Sequence, residues 1–216
     1  MSCFFKTKSQ FHLPKGMIYL DGNSLGPLPK KAQERIQHTL NKEWGEMLVT
    51  GWNNAGWMEQ PNKVGDRIAK LIGAGSETVT VGDTLSIKIF QALASATNYQ
   101  KMRKVLLTDS SNFPSDIYAA QGLVNMIQAS HELKIVSTDN LIENINENVA
   151  AVFFTEVDYK TGHRYDAKKI IKAAKKYGSL VILDLAHSAG AIDTNLTELD
   201  VDLAVGCTYK YLNGGP

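Results

Sequence analysis

The chain has 216 residues, of which 44% are hydrophobic and 21% charged, a composition typical of a soluble globular protein with a sizeable core. Its 23 basic and 22 acidic residues give a formal charge of +1, and the lysines are spread along the chain. This argues against a nucleic-acid or membrane-surface partner, which usually needs a clustered basic face. Two cysteines cannot form a disulfide framework, the opening MSCFFKTKSQF is not a signal peptide, and no apolar run reaches about 18 residues, so the sequence predicts a cytoplasmic protein without a membrane span.

The first part of the chain is predicted to contain both strands and helices. Pro29 suits the first turn of a helix, and Gly73 and Gly75 are typical of a helix end. The predicted elements, in chain order, are a strand at Met17–Leu20, a helix from Pro29 to about Val49, a helix from Pro61 to Ile72, a strand within TVTVGDTLS (residues 78–86) and a helix that starts near Ser86.

Strands and helices alternate in the remaining chain. Strands are predicted in KVLLT, LKIVS, VAAVFFTEV, SLVILDLAHSAG and VDLAVG, and helices in FPSDIYAAQGLVNMI, NLIENINEN and DAKKIIKAAKKYG. Apolar runs with little alternation indicate strands covered on both faces, and the alternation with helices indicates an α/β fold with a mostly parallel sheet. Such sheets bind ligands at the carboxyl ends of their strands, so candidate residues are sought just after each strand.

One candidate stretch is VGDTLSIKIF, where a predicted strand leads through Gly82 and Asp83 into a helix. Hydroxyl groups and free amides at a helix N-terminus can bind a phosphate. The plainer interpretation is an ordinary helix cap formed by Asp83, Thr84 or Ser86. On this stretch alone both interpretations stay open.

A second stretch, LVILDLAHSAGA, places Asp184 at the end of an apolar run and His187 three residues later. A carboxylate at the end of a buried strand needs a cationic or hydrogen-bonding partner. The protonated ring nitrogen of a cofactor is one such partner. The alternative is an aspartate that caps the next turn, beside a histidine satisfied in the core.

The closing stretch, CTYKYLNGGP, places Lys210 shortly after the predicted strand VDLAVG. A neutral lysine amine in apolar surroundings can form a Schiff base, although a lone lysine usually faces solvent. A lysine, a strand-end aspartate and a helix-terminal phosphate site are together what pyridoxal phosphate requires.

Other chemistry has less support. Serine hydrolase, P-loop and Rossmann motifs do not occur, and the scattered histidines lack metal-ligand spacing, so no metal site is predicted. Trp52 and Trp57 lie in the Gly/Asn-rich loop GWNNAGWMEQP. They line an aromatic substrate pocket or fill an edge of the core, and the sequence leaves both open.

Four segments together resemble the kynureninase family: YLDGNSLGPLP, FPSDIYAAQG, LDLAHSAGA and CTYKYLNGGP. The resemblance runs from about Tyr19 to Pro216. It implies the large domain of fold-type-I pyridoxal-phosphate enzymes, in the class V aminotransferase superfamily, with a three-layer α/β/α architecture. The expected division is an N-terminal segment and helix at 1–50 and a cofactor-binding large domain at 51–216. Because the family continues with a small C-terminal domain, we expect a chain truncated before that domain, inactive or dependent on a complementing fragment.

The resemblance also implies a role for individual residues. Lys210 would bind the cofactor covalently and Asp184 would pair with its ring nitrogen, with Tyr209 as the third catalytic residue. Ser24 and Trp52 would lie near the substrate. The residues implied to contact pyridoxal 5′-phosphate are Leu85, Ser86, Phe113, Pro114, Ser115, Asp116, Thr155, Asp184, His187, Tyr209 and Lys210.

The activity implied by the resemblance is hydrolytic Cβ–Cγ cleavage of L-kynurenine to anthranilate and L-alanine, in tryptophan catabolism and NAD biosynthesis. The sequence leaves open the preference for the 3-hydroxy substrate. A homodimer is implied for the complete enzyme. The alternatives are an enzyme like cysteine desulfurase or selenocysteine lyase, and a non-catalytic remnant that binds the cofactor weakly.

Overall fold

The computed structural model describes residues 3–127 and 131–215. It contains two compact units: one comprises the chain up to Gly82 together with the closing segment from Thr208, and the other is Asp83–Cys207. The division at residue 50 expected from the sequence stays a prediction.

The first unit is built from helices and turns. Its elements are α1 (Cys3–Lys8), α2 (Lys30–His38), a π-helical segment (Thr39–Trp44), a 3-10 turn (Leu48–Thr50), α3 (Gly51–Asn54) and α4 (Gln60–Ile72). Helix α4 ends where the sequence predicts, because Gly73 adopts the left-handed conformation with φ 62° that closes helices.

The single helix predicted from Pro29 to about Val49 is wrong in its continuity. Pro29 stands before the first turn of α2 in an extended conformation, and α2 ends at His38. The chain then widens, so that the amide of Gly45 donates to the carbonyl of Leu40 five residues earlier. Leu48 has a positive φ of 50°, which no continuous right-handed helix accommodates.

Neither strand predicted in this unit forms. Residues 17–20 have no strand partner among the described residues, and Ile18 and Leu20 are each 85% exposed. The segment around Val79 packs on α4 instead of pairing: the amide of Val81 donates to the carbonyl of Pro61 at 3.3 Å. An apolar run becomes a strand only where a neighbouring strand supplies hydrogen bonds.

The second unit contains a parallel sheet of five strands. They are β1 (Val105–Asp109), β2 (Glu132–Val136), β3 (Val149–Thr155), β4 (Leu180–Asp184) and β5 (Leu203–Val205). Their order in the sheet is β2-β1-β3-β4-β5, with every pairing parallel. The predicted α/β fold class is thereby confirmed.

Helices of this unit flank the sheet. They are α5 (Leu85–Tyr99), α6 (Pro114–Ile127), α7 (Ala167–Lys176) and α8 (Leu196–Leu199), with 3-10 turns at Thr138–Asn140 and Ile142–Asn144. Leu93 of α5 and Leu123 of α6 pack with Phe153 and Ile182 of the sheet, all at most 1% exposed. β3 is buried along its whole length, as its continuous apolar sequence predicts.

Two predictions for this unit need correction. The segment NLIENINEN forms two 3-10 turns rather than a helix, because its asparagines bond the nearby backbone: the Asn144 side chain donates to the carbonyl of Asn140 at 2.8 Å. The strand predicted to run to Gly190 ends at Asp184, whose carboxylate accepts the amide of Ala186 at 2.8 Å and turns the chain.

In the part of the chain that the structure describes, no helix has both the length and the apolar character needed to cross a membrane.

Candidate functional site

The strand order creates a switch point between β1 and β3. After β1 the chain crosses to β2 on one side, and it then returns past β1 to form β3 on the other side. Ligands of open α/β sheets bind outside the carboxyl ends of the strands at such a point. The turns that follow β1 and β3 are therefore the first place to look for a site.

The turn after β1 is held by a buried asparagine. The side chain of Asn112 donates to Thr108 at 3.0 Å and accepts the amide of Phe113 at 2.8 Å. Helix α6 then begins at Pro114, whose fixed φ suits a first helical turn. These contacts thus fix the backbone of Phe113 independently of the contacts that its side chain makes.

Phe113 packs against rings from two other strand ends. Its ring lies edge-on to Tyr159, which follows β3, with centroids 4.9 Å apart, and 6.3 Å from the imidazole of His187, which follows β4. Tyr159 and His187 are also 6.3 Å apart. The three rings form an aromatic cluster at the switch point, a surface suited to a planar ligand ring.

Asp184 lies at the carboxyl end of β4, directly beside Thr155 at the end of β3. Both side chains are 2% exposed. A carboxylate this deeply buried is most stable opposite a cationic group. Its position is therefore compatible with the protonated nitrogen of a cofactor ring, and the pairing of Asp184 with that nitrogen stays a prediction.

The amino end of α5 supplies the predicted phosphate-binding residues Leu85 and Ser86. Thr84 precedes the helix in an extended conformation, and among the described residues its side chain makes no capping hydrogen bond. The first amides of a helix have no partner within the helix, so they can bind an anion. Ser86 and Ser115 both border an open, largely apolar depression of about 450 Å³ between α5 and α6.

The remaining members of the predicted cofactor turn lie at the start of α6. Asp116 is fully buried, and its amide donates to the carbonyl of Phe113 at 3.0 Å. The hydroxyl of Ser115 lies 3.4 Å from the Asp116 carboxylate. Pro114, Ser115 and Asp116 therefore continue the same rigid turn that carries Phe113.

The predicted cofactor lysine lies in a closed turn of the first unit. Lys210 is only 6% exposed. Its backbone carbonyl accepts the amide of Asn213 at 3.1 Å, and the amide of Gly214 donates to Thr208 at 2.7 Å. The ammonium group lies 5.7 Å from the ring centre of Tyr209. The sequence predicts a functional lysine here, and the structure shows a buried one on a fixed backbone.

Gly26 of the YLDGNSLG motif packs directly on this turn. Its amide donates to the carbonyl of Tyr209 at 2.7 Å. A β-carbon at Gly26 would lie 2.2 Å from the carbonyl oxygen of Lys210, closer than any real contact. The motif glycine is thus a close-approach residue for the lysine segment.

Replacing Gly26 by alanine is expected to displace the lysine turn and to weaken capture of pyridoxal phosphate by at least about tenfold. The reason is that overpacking costs about 1–3 kcal/mol, and 1.36 kcal/mol corresponds to about a factor of ten. The measurement is the yield of borohydride-stable adduct against cofactor concentration. Gly22→Ala is the matched control, because a β-carbon there has no neighbour within 4 Å. Equal capture by the two variants would contradict the assignment.

The two residues predicted to lie near a substrate are also in the first unit. Ser24 is exposed and donates to the carboxylate of Asp21 at 2.7 Å. Trp52 is 51% exposed and lies edge-on to Trp57, with ring centroids 5.7 Å apart. Trp52 lies in helix α3 and not in the loop that the sequence predicts. Its ring is half-exposed while Trp57 is more buried, and the substrate role of Trp52 stays a prediction.

Within the second unit the structure brings together Phe113 with His187, Thr155 with Asp184, and Ser86 with Ser115. The sequence reasoning missed Tyr159 and Gly26. Tyr159 follows β3 by four residues, so the rule that ligands bind after strands could have found it. Gly26 carried no comparable signal, because nothing local showed which backbone it meets.

Comparison with known families identifies the class of protein. The family model "Aminotransferase class-V" matches residues 18–216, and the chain therefore belongs to that family. It is 44% identical over 214 residues to the kynureninase of Burkholderia mallei (strain SAVP1) and 45% identical over 214 residues to that of Pseudomonas fluorescens. These alignments cover 97% of this chain and 51% of each relative. The chain spans about half the length of the curated relatives it matches.

Solved structures agree on the fold. The apo cysteine desulfurase of Thermococcus onnurineus NA1 has a TM-score of 0.76 at 18% identity, over 98% of this chain and 54% of that one. A C-DES mutant, described as having glycine covalently linked to the PLP cofactor, has a TM-score of 0.76 at 15% identity, over 96% of this chain and 56% of that one. At these identities the likeness establishes the fold alone.

Proposed function

We propose that this chain provides the cofactor-binding portion of an enzyme that uses pyridoxal 5′-phosphate to hydrolyse the Cβ–Cγ bond of L-kynurenine. The observation that carries the proposal is the 44% identity to kynureninases over 97% of the chain. The cofactor predicted from the sequence agrees with the class V family match and with the cofactor named for a solved neighbour. The substrate, anthranilate and L-alanine as products, cytoplasmic location and a homodimeric enzyme are parts of this proposal.

The residues present fit that cofactor. In the second unit, the buried Asp184 carboxylate suits the cofactor's ring nitrogen, and the aromatic cluster suits its ring face. In the first unit, the buried Lys210 supplies the amine that its aldehyde requires. When bound, pyridoxal phosphate supplies an electron sink for carbanion chemistry at the substrate α-carbon. The protein supplies orientation and control of protonation.

Each predicted residue has a proposed part in that arrangement. Lys210 binds the cofactor through its Nζ atom and moves the proton at the substrate α-carbon. Asp184 keeps the ring nitrogen protonated, because a proton there neutralises a buried carboxylate. Phe113 and His187 contact the ring. The surrounding residues proposed to hold the phosphate and border the cofactor are Leu85, Ser86, Pro114, Ser115, Asp116, Thr155 and Tyr209.

The test supplies the chain with pyridoxal phosphate and with the half of the Pseudomonas fluorescens kynureninase that lies beyond the aligned region. Release of anthranilate from L-kynurenine, followed by its fluorescence, is the expected result. No release by the mixture, while a mixture of the two halves of the relative itself is active, would overturn the proposal. Release of alanine from L-cysteine in its place would favour the desulfurase alternative. Cys207 gives that alternative little support, since it is partly buried and its sulfur lies 3.9 Å from the carbonyl of Ala186.

A further inference from the structure

A buried carboxylate lies next to helix α3, which carries Trp52. Glu43 belongs to the π-helical segment Thr39–Trp44 and is 5% exposed. π-helical turns are uncommon and are found frequently at functional sites. The widened turn places an acidic side chain in the interior of this unit, where a carboxylate is retained only with partners.

Glu43 has partners on both carboxylate oxygens. One oxygen lies 2.7 Å from the guanidinium of Arg35 and 3.6 Å from the imidazole of His38. The other accepts the indole N–H of Trp57 at 2.9 Å. The hydrogen bonds from Arg35 and Trp57 lower the pKa of Glu43 despite the opposing effect of burial. The group that meets Trp57 is therefore an anion at neutral pH.

Trp57 is in turn packed against the start of α3. A β-carbon at Gly51 would lie 3.0 Å from the Trp57 ring and 3.1 Å from the carbonyl oxygen of Glu43. The next residue is Trp52, whose ring meets that of Trp57 at 83°, with centroids 5.7 Å apart. Glu43, Trp57 and Trp52 thus form a continuous series of contacts from the interior to a half-exposed ring.

We infer that Glu43 is a positioning residue: by accepting the Trp57 indole N–H, it sets the orientation at which Trp52 presents its ring to the aromatic part of the substrate. The substrate role of Trp52 rests on the proposed function, whereas the orientation of the two indoles does not. A rigid aromatic wall of this kind selects an aryl side chain over an aliphatic one, because it offers a flat apolar contact at little entropic cost.

The first experiment needs neither cofactor nor substrate. Two indoles held in contact produce a coupled circular-dichroism signal, and Trp52→Phe defines the spectrum without it. Glu43→Leu removes the acceptor at similar volume and is expected to reduce the signal toward that of Trp52→Phe. Glu43→Gln keeps an oxygen that accepts the indole N–H, and it is expected to retain the signal. The matched control is Glu46→Gln, because Glu46 is an exposed residue that pairs with Lys42.

The second experiment uses the complemented enzyme of the proposed function. Glu43→Leu is expected to raise KM for L-kynurenine about tenfold, the equivalent of one hydrogen bond to a charged group, with kcat changed less than about twofold. Should Glu43→Leu fail to fold, Trp57→Phe, which removes the N–H donor together with part of the ring that packs on Trp52, is expected to give the same split. A normal coupled signal in Glu43→Leu would overturn the positioning role. Absence of kynurenine hydrolysis by the unsubstituted enzyme would overturn the proposed function alone, since the optical result is independent of it.

Discussion

Replacing Lys210 by alanine is expected to abolish covalent capture of pyridoxal phosphate by this chain. Carbonyl capture needs an amine, and Lys210 is the buried lysine on the backbone turn described above. After borohydride treatment, the unsubstituted protein should carry one stable adduct, assigned to residue 210 by mass spectrometry of its peptides. The variant should lose that adduct and, before reduction, the absorbance band near the visible edge.

The control for this experiment is Lys172→Ala, which removes an exposed lysine of the strongly basic helix α7. It should capture the cofactor as the unsubstituted chain does, because exposed lysines react only through non-specific encounters. An undiminished adduct in Lys210→Ala, or an adduct on another lysine in the unsubstituted chain, would contradict the role proposed for Lys210.

Replacing Asp184 by alanine is expected to lower cofactor affinity, or turnover by the complemented enzyme, by about a hundredfold or more. Removing one partner of a buried charge pair costs about 3–5 kcal/mol, and each 1.36 kcal/mol is about a factor of ten. Asp184 is 2% exposed at the end of β4, so bulk water has little access to its carboxylate. Cofactor titration by absorbance and anthranilate release measure the two effects.

Asp184→Asn separates this functional role from a structural one. Asparagine keeps the volume and an oxygen that accepts the Ala186 amide, the bond that turns the chain after β4. We expect its unfolding midpoint to match that of the unsubstituted protein, while cofactor binding or turnover falls as in Asp184→Ala. If Asp184→Asn kept full function, the carboxylate charge would have no part in the chemistry.

Some sequence signals predicted the structure of this chain reliably, and others did not. The continuous apolar run of β3 indicated a strand covered on both faces, and the strand is buried throughout. The same reasoning failed for residues 17–20 and for the segment around Val79, which carry β-prone residues but have no neighbouring strand in the described chain. Propensity reports what a residue tolerates, whereas a strand also requires a partner.

The candidate site shows a similar division. Lys210, Asp184 and His187 were predicted as site residues because chemically distinctive side chains follow apolar runs, and the ends of strands are where an α/β sheet binds ligands. Tyr159 and Glu43 were not found. Their significance depends on contacts with Phe113 and Trp57, and nothing in a local pattern names a partner distant in the chain.

By itself, the sequence determined the α/β class, the lysine and aspartate expected to carry the chemistry, and the family resemblance. These properties are local, since they depend on side-chain type and on short-range periodicity. Only the tertiary structure decided the strand order, the meeting of Phe113 with Tyr159 at the switch point, and the approach of Gly26 to the Lys210 backbone. The physical reason is that periodicity shows which side chains are buried, while the path of the chain decides which residues they meet.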